Sequence, residues 1–492
     1  MQQRHGTFPR IIGKGDNAFR LTELLNRMRA EGLGDATSSQ PESTAPRGTL
    51  HASFDSLIII DRSVDFASLL LTQLTFEGLL DETFTIRHSQ AELPSSIVGA
   101  PSTTTPNPQA GTTADMPTTN PTLKRKVRLD ATDSLYATLR PANFACVGPL
   151  LNAVARRLQS SYDARHSTRT PAELSDFVKK LPAYQAEQAS LRLHTALAEA
   201  ILTATRTDAF RAALEVQQSL FVGNDTAAAR ELLDELVSRA APLHIVLRLA
   251  CLESCINGGL RPRDLDAFKR TVVQAYGHRH IVTLDALDKM RLLHARGTGG
   301  AASFLPVGGG GGVDQGAATN YAALRKPLAL VVDDIDDAAP QDPAYVFSGL
   351  APLSVRLVQC VIQKAHVRAV AASGSAAAIT SESNALASKG ALPQDGTLGW
   401  RGFADQLAQV SGRTFDETPT GGDKGARARE TLEGGRARKT TVVFYLGGVT
   451  FGELAALRLV AAQLGKGRSL LICTTGIVSG DKAMGVATGT TV

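Results

Sequence analysis

Three short apolar runs along the chain predict buried β-strands. They read "SLIIIDR" (56–62), "TVVFYLGG" (441–448) and "SLLICTT" (469–475). Between the last two runs, apolar residues recur at the three- and four-residue spacing that is typical of a helix. A strand, a short turn, a helix and a second strand make a βαβ unit, in which the strands lie parallel and helices cover the sheet.

The long stretch between these runs has a different pattern. Residues 139–290 follow helical spacing almost throughout, with two long candidate helices at 141–166 and 170–206. Pro182 interrupts the second helix, so we expect a kink or a break there. The predicted fold class is therefore α/β: a parallel-sheet domain interrupted by a large, mainly helical insertion domain that carries an extended helical hairpin (141–206).

The same patterns predict the domain boundaries. Residues 1–90 are expected to form the first part of the α/β domain, 91–440 the helical domain and 441–492 the returning part of the α/β domain. Some segments contain few large apolar residues that could offset the entropy of ordering them. We interpret them as disordered surface insertions and not as linkers between independent domains. These segments are 33–50, 93–123, 295–320, 371–396 and 415–440.

Composition and charge exclude several classes of protein. The 492 residues are 43% apolar and 20% charged, which is typical of globular proteins. No apolar run approaches the roughly 20 residues that a membrane-spanning helix needs, so we expect contact with membranes only through partners. Fifty-two basic residues against 47 acidic ones give a net charge of +5. Their scattered distribution argues against nucleic-acid binding.

The cysteines offer no metal site and no disulfide framework. The five of them are odd in number and lie inside apolar patterns. Cys251 and Cys255 share one helix face, but no further cysteine or histidine nearby completes a zinc-binding set. We interpret all five as reduced thiols in the core.

The glycine pair Gly447-Gly448, between a strand and a helix, resembles the position of a phosphate-binding loop. A Walker loop requires G-x-x-x-x-G-K-[ST], and no lysine follows these glycines. The spacing T-x-x-E, by contrast, predicts a capping box with Thr450 as the N-cap and Glu453 at the third helical position. We interpret the corner as structural.

Other candidate motifs are also incomplete. Gly13-Lys14-Gly15 has a glycine where a phosphate-binding loop needs serine or threonine. His278 and His280 are interpreted as solvated histidines at a helix end. The acidic run "VVDDIDDAAPQD" (331–342) lacks the glycine and the distal glutamate of a calcium loop, which favours a charged turn. The sequence therefore predicts no catalytic constellation, no metal and no cofactor.

The hairpin leaves two interpretations open. Its second helix mixes apolar and polar residues on one face, including Leu191, His194, Thr195 and Glu199. Such a face suits a partner helix lying in a groove. Packing within a helical bundle explains the periodicity equally well.

Several long stretches resemble the SM (Sec-one/Munc-eighteen-like) family. The signature "SLIIIDRSVDFASLLLTQLTFEGLLDETFTI" resembles the family's strand and helix, and "FVKKLPAYQAEQASLRLHTALAEAI" resembles its helical hairpin. "VVFYLGGVTFGELAALR" resembles the returning α/β segment. "FPRIIGKGDNA", "VLRLACLESCINGGL" and "YVFSGLAPLSVRLVQ" are most similar to the SM members that serve the HOPS and CORVET tethering complexes.

The resemblance implies a function without catalysis. Such proteins bind SNARE motifs along the central hairpin and template their assembly for fusion of vesicles with the late endosome, vacuole or lysosome. They join the tether through a companion subunit resembling vacuolar sorting protein sixteen, together with the other HOPS or CORVET subunits. The implied location is cytoplasmic and peripheral on those membranes.

The resemblance also implies site residues in this sequence. The SNARE-binding candidates are Lys179, Lys180, Gln185, Glu187, Leu191, His194 and Glu199. The candidates for binding the companion subunit are Lys269, Tyr276, His278 and Ile281. Asp61, Arg62 and Asp65 in the opening signature, with Thr450 and Glu453, are expected to hold the structural corner between strand and helix.

One departure from the family leaves alternatives open. The chain starts just upstream of "FPRIIGKG", whereas the family carries a whole α/β domain, and part of the next, before that motif. We expect a truncated gene model or fragment, with a short isoform as the other explanation. Two other hypotheses are a nucleotide-binding α/β enzyme that uses the glycines at 13–15 or 447–448, and a remnant that binds the companion subunit but assembles no SNAREs.

Overall fold

The computed structural model describes nine stretches of the chain, and every structural statement below concerns them. The described residues are 8–38, 54–98, 124–166, 171–223, 226–296, 318–374, 399–417, 439–464 and 467–489. Among them, no helix is long and apolar enough to cross a membrane.

The described residues form seven strands and a larger set of helices. The strands are β1 (Ile11–Lys14), β2 (Phe54–Asp61), β3 (Gln90–Pro94), β4 (Lys124–Arg128), β5 (Thr414–Glu417), β6 (Lys439–Leu446) and β7 (Arg468–Thr474). The helices are α1 (Asp16–Ser38), α2 (Ala67–Leu70), α3 (Phe76–Phe84), α4 (Ser95–Val98), α5 (Ser134–Leu139), α6 (Phe144–His166), α7 (Pro171–Thr205), α8 (Asp208–Val222), α9 (Thr226–Ser238), α10 (Leu243–Asn257), α11 (Pro262–Tyr276), α12 (Ile281–Lys289), α13 (Tyr321–Leu324), α14 (Leu353–Ile362), α15 (Lys364–Ser373), α16 (Ala404–Ala408), α17 (Phe451–Gln463) and α18 (Gly480–Thr488).

Two compact units divide the chain. One contains residues 1–72 and 212–491 and is here called the sheet unit; the other contains residues 73–211 and is called the hairpin unit. Each is described by itself below. The domain boundaries inferred from the sequence, 1–90, 91–440 and 441–492, stay a prediction.

A five-stranded sheet organises the sheet unit, and the predicted fold class is confirmed. The strand order is β5-β1-β2-β6-β7. β1, β2, β6 and β7 pair in parallel, and β5 joins the edge in the antiparallel direction. β6, α17 and β7 form the predicted βαβ unit.

The burial of the central strand β2 explains the continuous apolar run in its sequence. Ile58, Ile59 and Ile60 are fully buried, because parallel sheets are covered on both faces and their strands do not alternate with polar residues. On one face, Leu57 and Ile59 pack in a cluster with Phe415 of β5 and with partly buried side chains of α1. This packing holds the sheet against its first helix.

Some expectations about unstructured insertions were wrong. Residues 33–38 are the last turns of α1, and 93–98 contain the end of β3 and helix α4. Residues 415–417 belong to β5, which pairs with β1 and buries Phe415. Tertiary pairing overrode local composition at these places. The remaining parts of the predicted insertions fall almost wholly outside the described residues.

Helix α7 is continuous where the sequence predicted a kink or a break. Pro182 lies inside the helix, with helical turns on both sides. A proline removes one backbone hydrogen bond, and the bonds of the flanking turns keep the segment in one helix. The break predicted at Pro182 does not occur.

Candidate functional site

A groove lies between α6 and α7 in the hairpin unit. The groove has a cavity volume of about 620 Å³. Ala145, Gly148 and Asn152 of α6 line it, and they recur at helical spacing on one side of that helix. Leucines of both helices, Leu191 and Leu202 among them, line the rest. The groove is therefore apolar and has a floor of small residues.

Gly148 leaves the groove open at its middle. A Cβ atom added at this glycine would have no heavy atom within 4 Å. Leu202 is 38% exposed. Both observations describe apolar surface that the hairpin does not cover with its own side chains.

Asp133 ties α7 to the short helix α5 in the hairpin unit. Its carboxylate accepts hydrogen bonds from the backbone amides of Leu135 and Tyr136, which caps α5. The same carboxylate accepts a bond from Ser190 Oγ at 2.7 Å and lies 2.9 Å from His194 Nε2. Asp133 thus fixes α7 in the stretch that contributes Leu191 to the groove.

His194 is buried beneath the groove-forming stretch of α7. Its ring stacks on Tyr136, with centroids 5.7 Å apart, and meets Phe76 edge-on. Burial lowers the pKa of His194, and the nearby Asp133 carboxylate opposes that effect only in part. Burial would raise the pKa of Asp133, but hydrogen bonds from Ser190 and His194 hold it below its usual value.

The lowered pKa of His194 predicts that acid destabilises the hairpin unit. As the pH falls below about 6.5, the usual pKa of histidine, the unfolded chain takes up the proton before the folded one. The free energy of unfolding therefore falls in that range. We expect the melting temperature to drop between pH 7.5 and pH 5.5, and to drop less in His194→Phe. An equal drop in both proteins would show that protonation of His194 is not the cause of the acid destabilisation.

The structure places the seven predicted SNARE-binding residues along α7. Leu191 and Glu199 line the groove, and Gln185 is exposed. Glu187 pairs with Arg157 of α6. His194 is fully buried, so in this conformation it presents no atom to a partner. The other two, Lys179 and Lys180, lie where the structure describes the backbone but not the side chains.

The predicted companion-subunit residues lie on α11, α12 and the turn between them. Tyr276 donates a hydrogen bond to the Ala241 carbonyl at 2.6 Å, and Lys269 Nζ lies 3.3 Å from Asp288. His278 and Ile281 are exposed. Sequence reasoning missed two exposed apolar residues of this region, Val282 (74% exposed) and Met290 (43% exposed). Helical spacing alone does not show which apolar residues other side chains leave uncovered.

The five predicted corner residues lie in the sheet unit, and four of them share one buried network. Arg62 Nη1 and Nη2 donate to the two carboxylate oxygens of Glu453 at 2.8 and 2.9 Å. In the capping box of α17, the Thr450 amide donates to the Glu453 carboxylate, and the Glu453 amide donates to the Thr450 hydroxyl. Asp65 lies 3.7 Å from Arg62 Nη2. Asp61 accepts a bond from the amide of Asn17, at the start of α1.

Two members of the network were not found from the sequence. Tyr321 donates its hydroxyl to Asp65 at 2.9 Å, and the backbone amide of Ser354 donates to the same carboxylate at 2.9 Å. The Ser354 hydroxyl also donates to Glu453. Burial would raise the pKa of Glu453, but the Arg62 guanidinium outweighs it and holds the pKa below its usual value.

Protein side chains fill both glycine corners that resembled phosphate loops. A Cβ at Gly13 would lie 2.2 Å from Phe415, and one at Gly447 would lie 2.8 Å from Arg62. The Lys14 ammonium donates to the Leu407 and Gly412 carbonyls and to the Thr414 hydroxyl. At both glycines, protein side chains occupy the space that a bound phosphate group would need.

The acidic run at 331–342 ends in a buried ion pair and not only in a charged turn. Asp342 and Arg356 are both fully buried and make two bonds of 2.8 Å, and His366 lies 3.0 Å from Asp342. The interpretation as a charged turn was therefore wrong for Asp342. Among the described residues, no group of three histidine, cysteine, aspartate or glutamate side chains could hold a metal ion.

Comparison with known proteins gives one consistent family. The model of the Sec1 family matches residues 1–485. The chain is 34% identical over 485 residues to vacuolar protein sorting-associated protein 33A of Rattus norvegicus. The alignment covers 98% of this chain and 68% of the relative. It is 29% identical to vacuolar protein sorting-associated protein 33 of Schizosaccharomyces pombe, covering 98% and 70%. The chain thus spans about two thirds of the length of these relatives.

Solved structures show the same fold. The SM protein Vps45 in complex with the Qa SNARE Tlg2 aligns with a TM-score of 0.52 at 14% identity, covering 98% of this chain and 66% of that one. The Unc18–syntaxin 1 complex of Monosiga brevicollis aligns with a TM-score of 0.51 at 15% identity, covering 98% and 68%. With a family model matched along residues 1–485 and a relative 34% identical across 98% of the chain, the protein belongs to the Sec1 family.

Proposed function

We propose that this protein is an SM-type SNARE-binding protein that templates SNARE assembly for vesicle fusion. The observation that carries the proposal is the open apolar groove between α6 and α7. Support comes from the Sec1 family match and from solved relatives that were captured with a Qa SNARE and with syntaxin 1.

The groove suits an amphipathic helix. A helix that lies in a groove inserts large apolar side chains at positions one turn apart. The small residues Ala145, Gly148 and Asn152 leave room for such side chains, while Leu191 and Leu202 offer apolar contact on the opposite side. SNARE motifs are helices of this kind, as the SM resemblance implies, with an apolar heptad pattern.

The predicted SNARE-binding residues take different parts in this proposal. Leu191 and Glu199 contact the partner helix in the groove, since both line it. Gln185 and Glu187 extend the contact along α7, and Lys179 and Lys180 continue it toward the start of the helix. His194 acts from inside, by holding α7 against Asp133 and Tyr136.

We also propose that the protein serves HOPS- or CORVET-like tethers. The relatives named for vacuolar protein sorting support this assignment. The companion subunit, resembling vacuolar sorting protein sixteen, would cover the exposed side chains of Ile281 and Val282, together with Lys269, Tyr276 and His278. The protein would thereby reach late endosome, vacuole or lysosome membranes. This function requires no catalytic residue and no cofactor.

Affinity purification of the tagged full chain, followed by mass spectrometry, tests the proposal. We expect SNAREs and tether subunits to co-purify. In Leu202→Asp, a charge in the groove should reduce SNARE recovery about tenfold or more, because a buried charge without a partner is unfavourable. Tether subunits should still be recovered, since that surface is unchanged.

Val222→Asp is the matched control for this experiment. Val222 is 40% exposed, compared with 38% for Leu202, and it lies on α8, outside the groove. Its SNARE recovery should equal that of the unchanged protein. Recovery of tether subunits without SNAREs would reject SNARE binding, and recovery of SNAREs in Leu202→Asp at the control level would reject the groove.

A further inference from the structure

The hairpin unit carries a two-stranded antiparallel ribbon of β3 and β4, here called the basic ribbon (90–94 and 124–128). Gln90 pairs with Arg128 at one end of the ribbon, and Pro94 pairs with Lys124 at the other. Side chains alternate between the two faces of a strand. Ala91 and Leu93 are fully buried on one face, so the other face is turned to solvent.

The exposed face is dense in positive charge. β4 reads "KRKVR", and Lys124, Lys126 and Arg128 alternate onto this face. Arg125 is also exposed, but it pairs with Leu93 and lies on the other face. The side chains of Lys126 and Arg128 are 71% and 72% exposed. Glu92 lies 3.6 Å from Lys126, and Asp130 pairs with Arg128. Within the described residues, Lys124 and Arg125 have no ion-pair partner.

One more cation extends the patch beyond β4. Arg87 lies in the turn that leads into β3 and is exposed. The scattered distribution of basic residues inferred from the sequence therefore does not hold here. The pairing of β4 with β3 holds these cations close together on the surface of the hairpin unit.

We propose that the basic ribbon binds an anionic membrane surface directly. Its cations are exposed along β4, and they line neither the groove between α6 and α7 nor the pocket beside α16. Protein interfaces usually centre on aromatic or arginine side chains in desolvated pockets. A leaflet of acidic lipid requires no pocket, because its negative potential acts on every cation within a Debye length.

Such binding is weak and depends strongly on salt. Each cation near an acidic leaflet raises the partition coefficient about fivefold, since it contributes about 1 kcal/mol. The ribbon would therefore orient a protein that its partners have already brought to the membrane. This inference goes beyond the proposed SNARE function and does not depend on it.

Vesicle flotation of the purified full chain tests the proposal. The vesicles contain either phosphatidylcholine alone or phosphatidylcholine with about one fifth phosphatidylserine, at low and at physiological salt. We expect binding only to the acidic vesicles, and weaker binding at the higher salt. Lys124→Gln/Lys126→Gln should weaken the partition coefficient about 25-fold, because two cations of the exposed face are lost.

Arg206→Gln/Arg211→Gln is the matched control, since both arginines are exposed and belong to the same unit. It removes the same charge and should bind acidic vesicles as the unchanged protein does. Equal weakening in both variants would overturn the proposal, and so would equal binding to neutral vesicles. It would also be overturned if the ribbon variant lost SNARE-motif peptides and kept the vesicles, which would identify an acidic protein segment as the partner.

Discussion

Glu453→Ala is expected to lower the free energy of unfolding of the sheet unit by about 3–5 kcal/mol, because it leaves the buried Arg62 guanidinium without its partner. Arg62 is 5% exposed and donates two hydrogen bonds to Glu453. The substitution also removes half of the capping box of α17 and the acceptor for Ser354. Against a total of about 5–15 kcal/mol for a typical protein, this is a large loss. Urea denaturation followed by circular dichroism measures it.

The double substitution Arg62→Met/Glu453→Leu is the control for this prediction. Replacing both members of a buried ion pair by apolar residues is often neutral, whereas removing one member is not. We expect the double variant to recover most of the stability that Glu453→Ala loses. If both variants are destabilised equally, the cost comes from packing and capping, and the argument from the unpaired charge is wrong.

Local patterns predicted the elements of the sheet unit well. The runs at 56–62 and 441–448 became β2 and β6, because a strand buried on both faces shows as a continuous apolar run. The T-x-x-E spacing at Thr450 and Glu453 gave the capping box, since a capping box depends only on residues three positions apart. Each of these features is local in sequence.

Features that join distant segments could not be predicted in this way. Arg62 and Glu453 were both singled out for the corner, but they are 391 residues apart, and nothing in either neighbourhood indicates the pairing. β5 was assigned to an insertion, because Phe415 finds its apolar neighbours only across the sheet. Asp342 was assigned to a charged turn, although its partner Arg356 lies on α14.

The sequence predicted a hairpin that could hold a partner helix in a groove, but it did not identify the residues of α6 that line the groove. Helical spacing identifies the two helices, but the rotation of each about its own axis decides which residues face the gap. His194 shares a predicted face with Leu191, yet it is fully buried while Leu191 lines the groove. Gly148 was not identified from the sequence, because a single glycine in a helix does not indicate how much space lies beside it.

Gly148→Phe is expected to weaken the binding of a SNARE-motif helix about tenfold to 100-fold. The phenyl ring would occupy the open middle of the groove, where an added Cβ meets no heavy atom within 4 Å. A partner helix would then lose the burial of one large apolar side chain, which contributes about 1.5–3 kcal/mol. Titration calorimetry with the full chain and a panel of SNARE-motif peptides measures the change in affinity.

Stability separates this effect from misfolding. Glycine is about 1 kcal/mol less favourable than alanine inside a helix, so Gly148→Phe should not lower the melting temperature. Ala153→Phe is the matched control, since Ala153 is exposed on the same helix and does not line the groove. It should bind SNARE peptides with unchanged affinity. Equal weakening in both variants would mean that the partner helix lies elsewhere on α6, because only one of the two rings fills the groove. Unchanged binding in Gly148→Phe would remove the groove from the proposed mechanism while leaving the Sec1 fold intact.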